Sequence, residues 1–285
     1  MSNDSLHKSL ALLTSVGTEY TQFLPEYLTS LDAFTAGASE LGWEITAVIV
    51  LDGIMDAPKI SWPRNCEIVK LPWRSGTAMA RTLALAYARS WWVYPLDADD
   101  LINASGAIQL LGDLESSPYA WLSTNRVSFK GEYVSQWQPC YRTWECGEIY
   151  PLWWRPIVPM HPNSICVLRN AALAVGGWPA VPVMEDMAFA FALTDQYAGL
   201  STPHTVTRYR EWSGQKTKRA DRPISKRLAI QVIDEMARAR RLRLGFPNPP
   251  PLIIPDDYKL RLTSSPATPW PEKLAAYERR TSGNL

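Results

Sequence analysis

The chain has 285 residues, 46% of them hydrophobic, and sets 29 lysines and arginines against 28 aspartates and glutamates for a formal net charge of +1. That length suits one large α/β domain with an appendage, and the balanced charge without a long basic block excludes the broad electrostatic footprint of a nucleic-acid binder. Four cysteines without a Cys-x-x-Cys pair and only three histidines argue against structural zinc, and a polar start with no apolar run of roughly 20 residues argues against a signal peptide or membrane span, so a soluble, reduced, cytoplasmic setting is expected.

Leu10–Ser15 reads as a first strand, Thr21–Thr35 as a helix with Phe23, Tyr27, Leu28 and Leu31 on one side, and Ile45–Leu51 as a second strand ended by Asp52-Gly53. Glu67–Leu71 follows as a third strand, Ser75–Arg89 as a helix turning Met79, Leu83, Ala86 and Tyr87 inward, and Trp91–Leu96 as a fourth strand. This alternation predicts an α/β fold with a mostly parallel central sheet flanked by helices. Ala104–Leu114 reads as a further helix and Tyr119–Thr124 as a strand. From Tyr133 to Met160 the chain is rich in Trp, Tyr, Pro and Cys without a period, which suggests a shaped segment lining a site.

Order resumes with a strand at Asn163–Leu168 and a helical stretch at Asn170–Val175, closed by Gly176-Gly177, residues suited to the positive φ of a helix C-terminus. Glu185-Asp186 opens an apolar helix, Met187–Tyr197, whose N-terminus favours their charge. A strand near Thr205–Arg210 precedes a helix at Pro223–Leu244, where Arg238, Arg240, Arg241 and Arg243 are expected on the solvated face. Phe246–Pro255 is too proline-rich to join the sheet, so the chain is expected to end in a helical and proline-rich C-terminal extension.

The most informative stretch is Val93-Tyr94-Pro95-Leu96-Asp97-Ala98-Asp99-Asp100, where a buried strand empties into three carboxylates within four residues. Such a cluster repels itself unless a cation is present. At the carboxyl end of a strand in an open α/β sheet, hard oxygen ligands suit Mg²⁺ or Mn²⁺ holding a phosphate. The same string also suits an aspartate-rich turn before the helix that starts near Asn103.

Taken in order, these pieces resemble the family 2 glycosyltransferases, nucleotide-sugar enzymes of the GT-A fold, from about Leu10 to Lys218. The resemblance rests on Thr14-Ser15, Leu51-Asp52-Gly53, Ser75-Gly76-x-Ala78-x-Ala80-Arg81, Leu96-Asp97-Ala98-Asp99-Asp100, Arg169-x-Ala171-x4-Gly176-Gly177-Trp178 and Glu185-Asp186. It implies a catalytic domain over 1–220, with a nucleotide-binding half at about 1–103 and an acceptor half at about 104–220, followed by an extension over 221–285. It places Thr14, Ser15, Asp52, Gly76, Arg81, Asp97 and Arg210 at the nucleoside diphosphate, and Asp99 with Asp97 at a Mn²⁺ or Mg²⁺ ion. Asp186, with Glu185 as the second candidate, would be the base that deprotonates an acceptor hydroxyl, giving inversion at the anomeric carbon. His161, Trp178 and Trp212 would face sugar or acceptor. The expected donor is a nucleoside-diphosphate sugar, first of all a UDP-sugar, and the acceptor and oligomeric state stay open.

The chain departs from the family's pattern in two places. Leu51 stands where a second acid is common, and Tyr209-Arg210-Glu211-Trp212 has tryptophan where many members carry a histidine, which leaves a third metal contact open and makes Arg210 and Lys216 candidates for the diphosphate. The Gln-x-x-Arg-Trp signature of processive synthases is absent, so single addition is expected. Trp137, Trp144, Trp153 and Trp154 suggest a sugar-stacking platform. Three other readings compete. A haloacid-dehalogenase phosphatase is disfavoured by Leu101 two places after Asp99; a GT-A-like binding module without turnover and a retaining GT-A enzyme are the other two.

Overall fold

The computed structural model describes residues 8–133, 140–153, 160–181, 183–218 and 222–248. Among them nine strands form one sheet: β1 (Ser9–Val16), β2 (Glu44–Asp52), β3 (Cys66–Leu71), β4 (Trp92–Pro95), β5 (Leu101–Ile102), β6 (Trp121–Ser128), β7 (Arg142–Trp144), β8 (Ile165–Leu168) and β9 (Gly199–Tyr209). Their order is β3-β2-β1-β4-β8-β6-β9-β5, with β7 paired to β9. The first four strands are parallel; β8 then enters antiparallel between β4 and β6, and β5 and β7 pair antiparallel with β9. The result is a mixed α/β sheet whose N-terminal half is the parallel one.

The helices are α1 (Leu24–Glu40), α2 (Thr77–Tyr87), α3 (Ala104–Ser116), α4 (Ile149–Trp153), α5 (Arg169–Ala174), α6 (Glu185–Gln196) and α7 (Arg222–Leu244), with a 3-10 turn over Thr18–Phe23. Strand alternation divides the core. Leu10 and Leu12 of β1 face a cluster with Tyr27, Leu31 and Phe34 of α1 and Leu110 and Leu111 of α3. Ala11 and Leu13 face the other side, with Ala80 and Ala84 of α2, Phe189 and Leu193 of α6, and Ala229 and Ile233 of α7. Gly176 and Gly177 end α5 at φ +89° and +68°, the left-handed conformations anticipated there.

Two expectations about helix faces are corrected. On α2, Leu83 packs partly buried against the core as expected, but Met79, Ala86 and Tyr87 do not turn inward, with Met79 52% and Tyr87 41% exposed. The buried face is Ala78, Ala80, Arg81, Ala84 and Leu85, because a row of alanines lets the helix lie close on β1 and β2 and carries one arginine inward with it. On α7, Arg241 is only 2% exposed, and both Arg240 and Arg241 pair with the buried Asp195 of α6. The burial of Asp195 draws two of the four arginines off the solvated face.

The irregular Tyr133–Met160 region contains β7 and α4 among its described residues. Trp144 is core, its indole N–H donating to Ser201 Oγ at 2.8 Å, and Trp153 packs on Phe191 at 4.9 Å between ring centroids. Neither forms a stacking platform; Trp137 and Trp154 lie outside the described residues, as does the proline-rich segment beyond Asn248. No helix among the described residues is long and apolar enough to cross a membrane.

Candidate active site

Parallel pairing aligns the carboxyl ends of β1, β2 and β4, so Ser15, Asp52 and Asp97 emerge along one edge of the sheet. A cleft of about 750 Å³ opens there, the position expected for a ligand in an open α/β sheet. Its wall includes Ser15, Asp52, Gly76, Arg81, Asp97, Asp99, His161, Glu185 and Asp186.

On the β2 side, Asp52 does not point an idle carboxylate at the cleft. Its Oδ1 accepts from Ser75 N at 2.6 Å and Ser75 Oγ at 2.8 Å, and its Oδ2 from Gly76 N at 2.9 Å. It therefore holds the turn that starts α2, and Gly76 at φ +90° takes the left-handed conformation that turn requires. Arg74 beside it pairs with Glu19 from the turn after β1.

At the centre, Arg81 is 3% exposed and binds Asp97 Oδ1, with Glu185 Oε1 at 3.4 Å from its other terminal nitrogen. Asp97 Oδ2 accepts from Asn163 Nδ2 at 2.7 Å. Arg126, 1% exposed on β6, brings Nη2 to 3.0 Å from Asp100 Oδ2 and 3.6 Å from Asp97 Oδ2, close in charge but not aligned as hydrogen bonds. Although burial opposes it, the Arg81 and Arg126 guanidiniums hold the Asp97 carboxyl below the usual carboxylate range. Asp99 moves the other way, raised by burial and by the Asp97 charge. Burial, opposed by Arg126 and reinforced by Asp97 and Asp99, pushes Asp100 up to about 8.

Across the cleft, α6 begins after Met184, a non-glycine residue at φ +66°. That turn presents Glu185 and Asp186 at the helix N-terminus, and Met187 N donates to Asp186 Oδ1 at 2.8 Å. Burial and the neighbouring Glu185 charge push Asp186 up to about 6, which places a carboxylate near the range useful for taking a proton at neutral pH. Burial and the Arg126 charge hold the His161 imidazole well below its usual range, so it is neutral, with Nδ1 accepting from Asn163 N at 3.3 Å.

Several expected site residues lie elsewhere. Thr14 is sealed in the core, its Oγ1 2.6 Å from the Tyr27 hydroxyl and donating to Leu96 O at 3.0 Å, so Ser15 and not Thr14 reaches the cleft. Trp178 is buried, stacked on Phe189 at 4.3 Å. Arg210 turns away from the cleft wall: its Nε donates to Asp99 O at 2.8 Å, its backbone N to Asp100 Oδ1 at 2.9 Å, and its guanidinium pairs with Glu26. Trp212 reaches the site only through Asp99, donating from Nε1 to Oδ2 at 2.8 Å. Sequence reading missed Arg126 and Asn163. An arginine inside the otherwise mostly buried strand Trp121–Ser128 was the one available signal, because a buried strand position tolerates a cation only opposite carboxylates.

The donor set bears on whether a divalent ion fits. Both oxygens of Asp97 are occupied and Asp100 is interior, while Asp99 has one oxygen bonded by Trp212 and one without a hydrogen bond among the described residues. Among those residues no group of three His, Cys, Asp or Glu side chains converges as a metal cage. One open carboxylate oxygen on Asp99, in the wall of this cleft, does fit Mg²⁺ or Mn²⁺ shared with substrate phosphates, the usual manner of holding such ions at nucleotide sites.

Comparison with known proteins follows the same lines. Residues 50–176 match the family described as Glycosyl transferase family 2. Among solved structures, S. aureus TarS 1-349 in complex with UDP-GlcNAc aligns with TM-score 0.59 at 16% identity, over 74% of this chain and 61% of that one. The same fragment in complex with UDP aligns with TM-score 0.57 at 14% identity, over 72% and 61%. Longer S. aureus TarS aligns with TM-score 0.57 at 13% identity, over 82% of this chain but 40% of that one. This chain thus spans about three fifths of the shorter TarS structures, and at these identities the likeness establishes the fold. No curated protein matches the sequence significantly.

Proposed function

We propose that this chain, whose residues 50–176 match glycosyl transferase family 2 and which folds as a GT-A domain, moves a sugar from a nucleoside-diphosphate sugar, first of all a UDP-sugar, to an acceptor hydroxyl with inversion. The observation that carries this reading is the gathering of Asp99 and Asp186, 87 positions apart in sequence, on the wall of one cleft whose far side is the Asp52-braced turn.

In this reading the donor's nucleoside lies along Ser15, Asp52 and the turn at Ser75-Gly76. Asp99 holds the divalent ion against the diphosphate; when bound, that ion offsets the charge building on the departing phosphate. Arg126 and Lys216, both on the cleft wall, add positive charge where the leaving group develops its own. Arg81 fixes Asp97 and Glu185 and so keeps the two sides of the cleft in register. Asp186 takes the acceptor's proton as the oxygen attacks the anomeric carbon from the face opposite the diphosphate, and neutral His161 lies where it can hydrogen-bond sugar without competing for that proton.

The test is calorimetric titration of UDP, GDP and dTDP with Mn²⁺ and with EDTA, followed by turnover of the sugar donor of the nucleotide that binds and anomer analysis of the product. Mn²⁺-dependent binding of one nucleotide that is abolished by Asp99→Ala supports the reading. A product retaining the donor's anomeric configuration overturns inversion and the role of Asp186. Nucleotide binding without any turnover favours the second reading, a GT-A-like binding module, for which the occupied carboxylate of Asp97 and the tryptophan at 212 are the favouring observations.

A further inference from the structure

Trp212 sits, partly exposed, on the segment after β9 and is held by several contacts. Its ring meets Tyr20 edge-on at 5.7 Å and Phe23 at 5.0 Å, both from the 3-10 turn after β1. Gly214 lies flat against it, since a β-carbon at that glycine would stand 2.1 Å from the indole. Trp212 N donates to Gln215 Oε1 at 3.3 Å, and Gln215 Nε2 donates in turn to Arg210 O at 2.6 Å and to the Tyr209 hydroxyl at 3.0 Å. A ring so confined holds its one N–H in one direction, toward Asp99 Oδ2. An indole N–H only donates; it cannot ligate a cation.

We propose that Trp212 is a positioning residue for cation uptake: it occupies one oxygen of Asp99, leaves the other as the cation-binding atom, and so makes the protein take up its divalent ion only together with the donor's diphosphate. This deepens the function proposed above and rests on it. The physical reason is ligand count. A single carboxylate oxygen supplies too few ligands to displace the ion's waters, whereas the same oxygen plus phosphate oxygens matches the way Mg²⁺ and Mn²⁺ are usually held. Groups that orient a metal ligand through its second atom typically contribute 10–100-fold to metal affinity.

The experiment titrates wild type, Trp212→Phe and Trp212→His with MnCl₂ alone, with UDP in EDTA and with UDP plus Mn²⁺, following heat and the electron paramagnetic resonance signal of free Mn²⁺. Wild type is expected to take up no Mn²⁺ alone at micromolar concentrations. Trp212→Phe, which keeps an aromatic ring against Tyr20 and Phe23, is expected to bind UDP in EDTA as wild type does and to lose 10–100-fold of the affinity gained with Mn²⁺. A merely structural role would weaken both UDP measurements together. Trp212→His supplies a ligating nitrogen and is expected to take up Mn²⁺ without nucleotide. Full Mn²⁺-dependent gain in Trp212→Phe, or micromolar Mn²⁺ uptake by wild type alone, overturns the proposal while leaving the nucleotide reading intact. Failure of wild type to bind UDP, GDP or dTDP under any condition overturns the nucleotide reading and this proposal with it.

Discussion

Two ion clusters lie toward opposite ends of α6, and they differ in how completely they close. Near the helix C-terminus, Asp195 Oδ2 accepts from Arg240 Nε at 2.9 Å and Nη2 at 2.7 Å, and its Oδ1 from Arg241 Nη1 at 2.8 Å; Arg241 also donates to Gly147 O and Pro247 O. The carboxylate is saturated, and the cluster fastens α7 to the domain. At the cleft, Arg126 Nε and Nη2, Asp100 Oδ2 and Asn163 Oδ1 are buried without a hydrogen bond among the described residues, whereas the Asp195 cluster leaves only Arg241 Nε so. Buried polar groups are normally satisfied, so the greater hydrogen-bonding capacity left over at the cleft marks a place built for a ligand, whereas the nearly closed cluster marks a joint.

The sharpest way to test that contrast is to remove one acid from each side. Asp186→Asn keeps shape and loses basicity, so turnover should fall about 10²–10⁴-fold with donor affinity unchanged; near-normal kcat would move the base elsewhere. Asp195→Ala strands two guanidiniums that the fold has desolvated, and should cost about 3–5 kcal/mol in denaturant unfolding. Its kcat per folded molecule should stay at the wild-type value; a selective loss of kcat would mean that the closed cluster also serves the site.

The protonation of Asp186 separates the clusters again. In its proposed role as the base it must be ionised, so kcat should drop about tenfold per pH unit below about 6. The sign for stability is opposite. Its pKa is raised on folding, so the folded state binds the proton more tightly, and stability is lost as pH rises from the ordinary aspartate range through about 6. Asp186→Asn should therefore melt higher than wild type at pH 7.5 and equally at pH 4. Equal melting at both would mean that Asp186 titrates as it does unfolded. The smallest effect is expected at Thr14→Val, which removes two buried hydrogen bonds: about 1–3 kcal/mol of stability and no change in donor affinity. A specific loss of UDP binding in that variant would return Thr14 to the cleft.

The parallel half of the fold was legible because apolar alternation and short strand–helix spacing are local signals. Leu10–Ser15, Ile45–Leu51 and Glu67–Leu71 each fall within one or two residues of the observed strands. The second half was less so. Strands β8 and β9 enter the sheet through pairings to strands far along the chain, and no local period records which neighbour a strand will choose. The α2 face was misread for a related reason: periodicity favoured the large residues Met79 and Tyr87, while close packing on the sheet selected the alanines.

By itself, then, the order of residues determined that acids would gather at the carboxyl edge of a parallel sheet, since the motif at Asp97–Asp100 ends a strand and Glu185-Asp186 starts a helix. Which of their oxygens stay open was decided only by tertiary structure. Arg81, Arg126, Asn163, Trp212 and the backbone N–H of Arg210 reach the same few carboxylates from as far as 113 positions along the chain. Hydrogen bonds and ion pairs act over a few ångströms of space, and spacing along a sequence does not carry that distance until the chain has packed.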